Sequence, residues 1–305
     1  MKRVLVTGAR GFVGRSAIRE LSRAGWQVDA VTSGEPPPDI ACTWHRADLL
    51  DPRARESLIA STTADALLHL AWCAKPPGYW TDPKNLHWLS ASLDLVRLFT
   101  ERGGRRAVGA GTCAEYDWNA GTCLEHSTPL LPTSLYGSTK AACGSVLSAY
   151  SRQTDLSAAW GRVFFLFGPG DDSSRLLPSL VKALDSGQPA TCRTGSHVRD
   201  FIHVDDAAGA LVALLESDVT GPVNIASGMP LPVGQFARAA AERTRHPGRL
   251  SVEDGPPEHA VVTADVTRLR EEVGWRPSVD IMTRIHEAVC WWQACEPERL
   301  ADRAT

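Results

Sequence analysis

Residues 3–14 read Arg3-Val4-Leu5-Val6-Thr7-Gly8-Ala9-Arg10-Gly11-Phe12-Val13-Gly14. The run begins with four residues that predict a short buried strand, and three glycines spaced three apart follow at once. Apolar residues at Ile18 and Leu21 then keep the spacing of a helix. A strand, a Gly-x-x-Gly-x-x-Gly turn and a helix in this order predict the first unit of a dinucleotide-binding sheet.

The three glycines of this turn define the first part of a candidate cofactor site. Without side chains, Gly8, Gly11 and Gly14 let the main chain approach a pyrophosphate, which then lies at the positive end of the helix. We expect the neighbouring Phe12 and Val13 to contact the same cofactor.

The end of the second strand bears on which dinucleotide binds. A strand is predicted at residues 26–31, and an NAD enzyme usually offers an acidic residue to the ribose 2′-hydroxyl at its end. This chain has Thr32 and Ser33 there. Arg10, inside the glycine turn, could instead pair with a 2′-phosphate or be an exposed loop cation. NADP is therefore the first choice of cofactor, with NAD as the alternative.

A third strand is predicted at residues 44–49, and it would bring Asp48 and Leu49 to the cofactor edge. A carboxylate at that edge can accept a hydrogen bond from the adenine amino group. Asp48 could equally cap a helix that begins near Pro52, and both interpretations stay open.

The buried run at residues 65–71 predicts a further strand that ends at Leu70 and Ala71, beside the cofactor. Ligands of open parallel sheets bind beyond the carboxyl ends of the strands. The loop at residues 73–80 is therefore a candidate substrate-facing loop, and Lys75 is its candidate ligand.

A catalytic group is predicted around residue 136. A fifth strand at residues 106–110 is followed by Thr112, and a helix is expected from Leu135 to about Thr154. Tyr136 and Lys140 are four apart and so share one face of that helix. A free tyrosine titrates near 10, and a cation beside it favours the phenolate, so Tyr136 is the candidate acid/base. The spacing alone also occurs on solvated helix faces.

Composition sets the wider frame. A chain of 305 residues with 43% hydrophobic content can bury one domain of about 200 residues and a smaller one. The net charge of −3 argues against a nucleic-acid partner. The eight cysteines form no C-x-x-C pair and no zinc-spaced cluster, so we expect no metal. No run approaches the ~18 apolar residues of a membrane span, and we expect a soluble, cytoplasmic protein without a membrane partner.

Taken together, these segments resemble a known family. The glycine turn, Asp48-Leu49, residues 69–71, Thr112 and the Tyr136/Lys140 pair come in the order and spacing of the extended short-chain dehydrogenase/reductases. Four further segments resemble the nucleotide-sugar branch of this family, which comprises epimerases, dehydratases and reductases. They are residues 162–171, 199–206, 224–228 and 274–277.

The resemblance implies an α/β fold, a doubly wound parallel sheet of Rossmann type with a smaller C-terminal α/β substrate lobe. Residues 1–168 plus 195–228 would form the dinucleotide-binding domain. Residues 169–194 plus 229–305 would form the substrate-binding lobe. Members of the family commonly dimerise through the helix that carries the tyrosine and the helix near residues 86–100, so a homodimer is expected.

The resemblance also implies roles for the catalytic residues. Thr112 resembles the family's catalytic Ser/Thr and would contact the substrate. Tyr136 resembles its acid/base, and Lys140 the residue that binds the nicotinamide ribose and lowers the pKa of the tyrosine.

Substrate contacts are implied in the same way, for a nucleotide-diphosphate sugar. Arg199 resembles the family's diphosphate ligand, and Arg175 is a second candidate in a segment that covers the substrate. Phe165 stands where relatives usually have an asparagine that binds the diphosphate region. Cys113 follows the catalytic threonine directly and, with Lys75, completes the expected substrate contacts.

Departures from the family pattern narrow the expected reaction. The 4,6-dehydratases follow their threonine with Asp-Glu, whereas this chain has Cys113 and Ala114. Reductases that also epimerise at C3 and C5 carry a reactive cysteine where Ala114 stands. Both departures argue against those activities.

Three hypotheses for the function remain. The first is an NADPH-dependent reductase of a nucleotide-linked keto-sugar, with an NDP-4-keto-6-deoxyhexose 4-ketoreductase as first choice; residues 115–118 also resemble such reductases. The alternative is an NAD-dependent nucleotide-sugar 4-epimerase. A catalytically silent dinucleotide-sensing protein is the more distant alternative.

Overall fold

A computed structural model of the chain describes residues 2–38, 40 and 42–301, and residues 296–301 by their backbone only. The strands are β1 Arg3–Thr7, β2 Gln27–Thr32, β3 Thr43–Arg46, β4 Ala66–His69, β5 Arg106–Thr112, β6 Thr122–Cys123, β7 Ser157–Val163, β8 Phe165–Phe167, β9 Ala190–Cys192, β10 Val198–Arg199, β11 Phe201–His203, β12 Gly221–Ile225, β13 Leu231–Pro232, β14 Leu250–Val252 and β15 Val261–Ala264. The α-helices are α1 Phe12–Arg23, α2 Pro52–Ser61, α3 Lys84–Glu101, α4 Leu135–Ser151, α5 Leu176–Asp185, α6 Val204–Glu216, α7 Val233–Ala241, α8 Thr267–Glu271 and α9 Ile281–Ala301.

A seven-stranded parallel sheet lies at the centre of the protein. Its strand order is β12-β7-β5-β4-β1-β2-β3, so the chain runs outward from β1 to one edge and then returns across it to the other. The predicted doubly wound α/β fold is confirmed. The reversal of strand order between β1 and β4 is the place where such sheets bind ligands, beyond the carboxyl ends of the strands.

Helices cover both faces of this sheet because alternate side chains of a strand point to opposite faces. Val4 and Val6 pack on the side of α1 and α6, whereas Leu5 packs among residues of α2, α3 and α4. All three side chains are fully buried. Each such burial contributes roughly 1.5–3 kcal/mol, which makes β1 an anchor of both layers.

A second group of elements packs beside the sheet. Helices α5, α7 and α9 surround an apolar cluster that includes Leu184, Phe236 and Trp292, together with the paired strands β9 and β14. Part of the predicted lobe, however, packs elsewhere: β15 and α8 contribute Val262 and Leu269 to the core beneath α1 and α6.

The predicted division at residues 168, 195 and 228 stays a prediction. Residue 1 and residues 302–305, at the ends of the predicted ranges, lie outside the described residues. Across residues 2–38, 40 and 42–301, none of the helices has both the length and the apolar character that a membrane span requires.

Candidate active site

One cavity of about 570 Å³ runs along the carboxyl edge of the sheet. It joins most of the predicted cofactor and catalytic residues, which the sequence places far apart. The predicted residues that line it are Gly8, Gly11, Phe12, Val13, Gly14, Leu70, Lys75, Thr112, Cys113, Tyr136, Lys140, Phe165 and Arg175. Arg10, Thr32, Ser33, Asp48, Leu49, Ala71 and Arg199 are the predicted residues that do not line it.

The glycine turn has the shape that a pyrophosphate cradle needs. Gly8 has a φ of +67°, and a Cβ there would meet the main-chain nitrogen of Ala71 at 2.7 Å. A Cβ at Gly14 would meet the carbonyl oxygen of Gly8 at 2.2 Å. Gly11 precedes α1 and brings no side chain to cap it, so the first N–H groups of α1 suit an anion.

A buried hydrogen-bond relay, which the sequence reasoning missed, fixes this turn against the end of β4. The Thr7 hydroxyl oxygen accepts the N–H groups of Leu70 and Ala71, both at 3.2 Å, so its own hydrogen goes to His69 Nδ1 at 2.8 Å. His69 Nε2 then donates to Ser92 at 2.8 Å. Burial lowers the pKa of His69 to about 3, which keeps the ring neutral. Ala71 therefore supports the turn through its main chain.

The guanidinium of Arg10 reaches beyond the end of β2. Its side chain is exposed, and a Cβ built on Gly34 would meet Arg10 Nη1 at 2.6 Å. Thr32 is buried and accepts the Gly34 N–H at 3.1 Å, whereas Ser33 is exposed. Ser33 is thus exposed next to Gly34, the residue against which the guanidinium of Arg10 lies.

An acidic residue follows this turn at Glu35, which the sequence reasoning did not consider. Its carboxylate lies 2.6 Å from Arg46 Nη1, and both side chains are largely exposed. Glu35 is therefore paired with the end of β3.

The capping interpretation of Asp48 is wrong. Asp51 caps α2 instead, by accepting the Arg53 N–H at 3.0 Å. The Asp48 side chain accepts the Leu50 N–H at 3.0 Å. It is exposed and lies beyond the end of β3. The Leu49 side chain is buried in the core. Contact of Asp48 with an adenine stays a prediction.

The Lys140 ammonium is buried between a main-chain carbonyl and an aromatic ring. It donates to the Ala110 carbonyl oxygen at 2.7 Å and lies 4.0 Å from the centroid of the Trp72 ring. Burial lowers the pKa of Lys140 to about 8. The cation is thus held at the end of β5, one turn of helix from Tyr136.

Tyr136 lies with its ring edge-on to two aromatic rings of the 73–80 loop. The ring centroids are 4.9 Å from Tyr79 and 5.7 Å from Trp80. Burial raises the pKa of the phenol, and a hydrogen bond with Thr112 opposes that rise. The nearby Tyr79 adds to the rise. That Lys140 lowers the pKa of Tyr136 stays a prediction.

Thr112 ends β5 in a reciprocal cap of the short helical turn Cys113–Glu115. Its hydroxyl oxygen accepts the Ala114 N–H at 3.2 Å, and its own N–H donates to Glu115 Oε1 at 2.8 Å. The hydroxyl hydrogen remains available to Tyr136 or a ligand. Cys113 is buried in the wall beside it, and burial raises the pKa of its thiol.

The opposite wall brings two predicted substrate residues together. Arg175 Nε lies 3.3 Å from Asp171, and Arg175 is also hydrogen-bonded to Tyr79. Burial raises the pKa of Asp171 to about 6. Lys75 is exposed at the rim, where its charge acts on Asp172. The 73–80 loop and the segment before α5 therefore close the cavity opposite Thr112.

Arg199 lies in a neighbouring cavity of about 250 Å³, which also contains Phe165 and Arg175. Its guanidinium donates to the carbonyls of Val198 and Ala260 at 2.9 and 3.2 Å and lies 5.4 Å from the Phe165 ring. Phe165 lines both cavities. The predicted diphosphate ligand thus stands behind Phe165, one cavity away from Tyr136.

A family model described as the NAD dependent epimerase/dehydratase family matches residues 4–226. UDP-glucuronic acid decarboxylase 1 of Xenopus tropicalis is 26% identical over 310 residues, which cover 96% of this chain and 72% of that protein.

Two similar solved structures hold ligands. A UDP-N-acetylglucosamine 4-epimerase from Methanobrevibacter ruminantium, in complex with UDP-N-acetylmuramic acid, has a TM-score of 0.83 and 26% identity, over 96% of this chain and 98% of that one. MoeE5, in complex with UDP-glucose and NAD, has a TM-score of 0.82 and 26% identity, over 96% of this chain and 99% of that one.

Proposed function

The chain belongs to the NAD dependent epimerase/dehydratase family, whose members similar to it act on nucleotide sugars, and we propose that it is an NADPH-dependent reductase of a nucleotide-linked keto-sugar. The first choice of substrate is an NDP-4-keto-6-deoxyhexose, reduced at C4 in the cytoplasm.

The observation that carries this proposal is the position of Arg10. A guanidinium against Gly34, with the exposed Ser33 as the preceding residue, suits a 2′-phosphate. Glu35, the acidic residue that follows, is paired with Arg46. A reductase exchanges its cofactor at every turnover, and recognition of NADPH at an exposed site fits that cycle.

The catalytic residues would work on one oxygen of the sugar. The dinucleotide, when bound along Gly8 to Gly14, supplies the hydride. Tyr136 donates its proton to the keto oxygen as negative charge develops there, and the Thr112 hydroxyl stabilises that charge. Burial raises the pKa of Tyr136, so the phenol is protonated at neutral pH, as a proton donor must be. Lys140 places a positive charge beside them.

The walls of the cavity favour a sugar with few hydroxyl groups. Tyr79 and Trp80 pack against Tyr136, and the rings of Trp118 and Phe165 line the same cavity. Such surfaces leave buried hydroxyl groups without hydrogen-bond partners, which costs free energy, whereas a methyl group at C6 is well accommodated. This supports a 6-deoxyhexose as the substrate.

The same walls argue against elimination chemistry. Cys113 and Ala114 occupy the places after Thr112, and neither is an acid. The next residue, Glu115, is an acid, but its carboxylate is fully buried against Trp160 and Arg162.

A 4-epimerase is the second candidate, and two similar solved structures support it. One similar structure is a UDP-N-acetylglucosamine 4-epimerase, and MoeE5 holds NAD. An epimerase oxidises and then reduces the same sugar, so it keeps its dinucleotide. NAD that stays bound through purification would support this candidate.

The substitution Tyr136→Phe tests the role of the phenol. Loss of the proton donor should lower kcat by about 10²–10⁴-fold while NADPH still binds. Tyr150→Phe, farther along α4 and outside the cavity, is the control and should turn over normally. If the unmodified protein bound NADPH but reduced no keto-sugar nucleotide, the silent dinucleotide-sensing alternative would replace the enzyme.

A further inference from the structure

Glu115 is a fully buried carboxylate with three strong hydrogen-bond donors around it. Oε1 accepts the main-chain N–H of Thr112 at 2.8 Å and the indole N–H of Trp160 at 2.9 Å. Oε2 accepts Arg162 Nε at 2.8 Å. A carboxylate needs such partners to stay buried, and each partner is in turn fixed by it.

The first of these contacts fixes the catalytic threonine. The carboxylate packs so closely on β5 that a Cβ at Gly111 would meet Glu115 Oε1 at 2.5 Å. Because Glu115 takes the Thr112 N–H and Ala114 takes a lone pair of the Thr112 hydroxyl, the hydroxyl hydrogen is left for the reacting oxygen or Tyr136. Glu115 therefore orients the Thr112 hydroxyl without touching the cavity.

The second contact extends the effect to Lys140. Trp160 fills the space between β5 and α4, where a Cβ at Gly109 or Gly144 would meet its ring at 2.4 and 2.7 Å. The centroid of a Trp160 ring lies 5.7 Å from the Lys140 ammonium. The hydrogen bond from Trp160 to Glu115 fixes the rotation of the indole, and the indole packs beside the ammonium that Ala110 of β5 holds.

The charges around Lys140 give Glu115 a second role. The titratable groups that face it are Tyr136 and Cys143 on α4, His69 at the end of β4, and Glu115 with Arg162 behind it. Burial keeps His69 and Tyr136 neutral at pH 7, and it raises the pKa of Cys143 to about 11. Within this group, Glu115 alone supplies negative charge.

We propose that Glu115 is a positioning residue for the reduction: it holds Thr112 through the main chain and Lys140 through Trp160, and its charge keeps Lys140 an ammonium. This inference rests on the proposed function, because it concerns the same three catalytic side chains. Glu115 acts through them and contacts neither sugar nor cofactor.

The test compares Glu115→Gln with Glu125→Gln. In Glu115→Gln, the amide would keep the shape of the carboxylate but lose its negative charge. Its NH₂ group would also face one of the N–H donors that the carboxylate now accepts. Glu125 is the matched control: it is also buried, and it accepts the Asn224 N–H at 3.0 Å in the same polar core. Reduction of the keto-sugar nucleotide by NADPH is measured between pH 6 and about 10, with thermal unfolding of each variant.

The unmodified enzyme should lose activity as pH rises through about 8, where Lys140 loses its proton. For Glu115→Gln we expect kcat to fall by about 10–100-fold with KM for the sugar nucleotide nearly unchanged. We also expect the alkaline limb of the activity–pH profile to move to a pH about one unit lower, because loss of a nearby negative charge makes the Lys140 ammonium less stable. Glu125→Gln should keep kcat and the position of the limb.

Two results would overturn the inference: a Glu115→Gln enzyme with unchanged kcat and pH profile, or the same loss and limb shift in Glu125→Gln. If Glu115→Gln does not fold, Glu115→Asp replaces it. That variant keeps the charge but withdraws it by one methylene, so kcat should fall while the limb stays, and an unchanged kcat would overturn the positioning role. An unmodified protein that reduces no sugar nucleotide would instead count against the proposed function.

Discussion

Our proposal that NADPH is preferred to NADH depends on one side chain, that of Arg10. It belongs to the glycine turn, yet its guanidinium lies against Gly34, beyond the end of β2. We propose that Arg10 binds the 2′-phosphate of NADPH at this position.

Replacing Arg10 by Gln should lower the affinity for NADPH by about 10–100-fold and leave that for NADH within about twofold, because a charge-assisted contact to phosphate is lost. Isothermal titration with both dinucleotides measures this. Arg53→Gln removes an exposed arginine of α2 and should change neither affinity. Equal weakening of NADPH and NADH by Arg10→Gln would mean that Arg10 supports only the fold of the turn.

At the scale of single residues, the sequence predicted which side chains line the cavity better than it predicted their burial and pKa values. The spacing of Tyr136 and Lys140 placed both in one cavity, as expected. It could not predict that burial would raise one pKa and lower the other, because burial depends on Trp72 and the 73–80 loop. Glu115 follows Thr112 by three residues, the spacing of a capping box, so this contact has a local sequence signal that was missed. The hydrogen bonds of Glu115 to β7 have no such signal, because they join residues 45 and 47 positions apart.

At the scale of elements, the turn between β1 and α1 makes the strictest demand on side-chain size. Two glycines that flank α1 have positive φ, +67° at Gly8 and +79° at Gly25. A Cβ at Gly8 would meet the main chain of Leu70 and Ala71 at 2.7 Å, whereas one at Gly25 would find nothing within 4 Å. A substitution at Gly25 would therefore cause backbone strain alone, whereas one at Gly8 would add a clash with the residues that follow β4.

Gly8→Ala and Gly25→Ala should therefore differ in kind. Gly25→Ala should cost about 1–2 kcal/mol in the free energy of unfolding, from left-handed backbone alone, and leave NADPH binding unchanged. Gly8→Ala should cost more and weaken NADPH at least about tenfold, because β4 must move away from the turn. Urea unfolding and NADPH titration measure both. Normal NADPH affinity in Gly8→Ala would contradict the cradle.

Long elements with their own periodicity were predictable, and elements defined by distant partners were not. The helix from Leu135 was predicted to reach about Thr154 and ends at Ser151. The third strand, predicted to residue 49, ends at Arg46 because its pairing with β2 stops at Thr32. The two-residue strands β6, β10 and β13 exist only through pairing within one small sheet, which no local pattern of sequence encodes.

At the scale of the whole molecule, the surface formed by the neighbouring helices α3 and α4 carries two exposed apolar side chains. Helices α3 and α4 pack side by side, and Leu86 is 53% exposed and Val146 46% exposed on them. Exposed apolar side chains on adjacent helices are typical of an interface between copies of one chain. We propose a homodimer that buries this surface.

The double substitution Leu86→Glu with Val146→Glu should convert the proposed dimer to a monomer without unfolding it, because paired carboxylates would be buried in the interface. Light scattering after size-exclusion chromatography measures the mass. Leu124→Glu, a substitution of another exposed leucine away from α3 and α4, should leave the dimer intact. A monomeric unmodified protein would contradict the proposal.

The site as a whole joins parts that only the complete fold brings together. The glycine turn, Thr112 and the Tyr136 helix were placed correctly along one cavity because strand order follows from the α/β pattern. Arg199 lies in the second cavity, which shares Phe165 and Arg175 with the first, because β10 pairs with β13 and β15 rather than with the central sheet. Its contact with the diphosphate of a substrate stays a prediction.

The most direct measurement of the central claim is the consumption of NADPH, followed by its absorbance, when the purified protein is mixed with an NDP-4-keto-6-deoxyhexose. The account predicts that one NADPH is oxidised for each sugar reduced, at a rate well above that with NADH. The contradicting result is no net consumption of either dinucleotide, with NAD released on denaturation of the protein and a nucleotide sugar interconverted at C4.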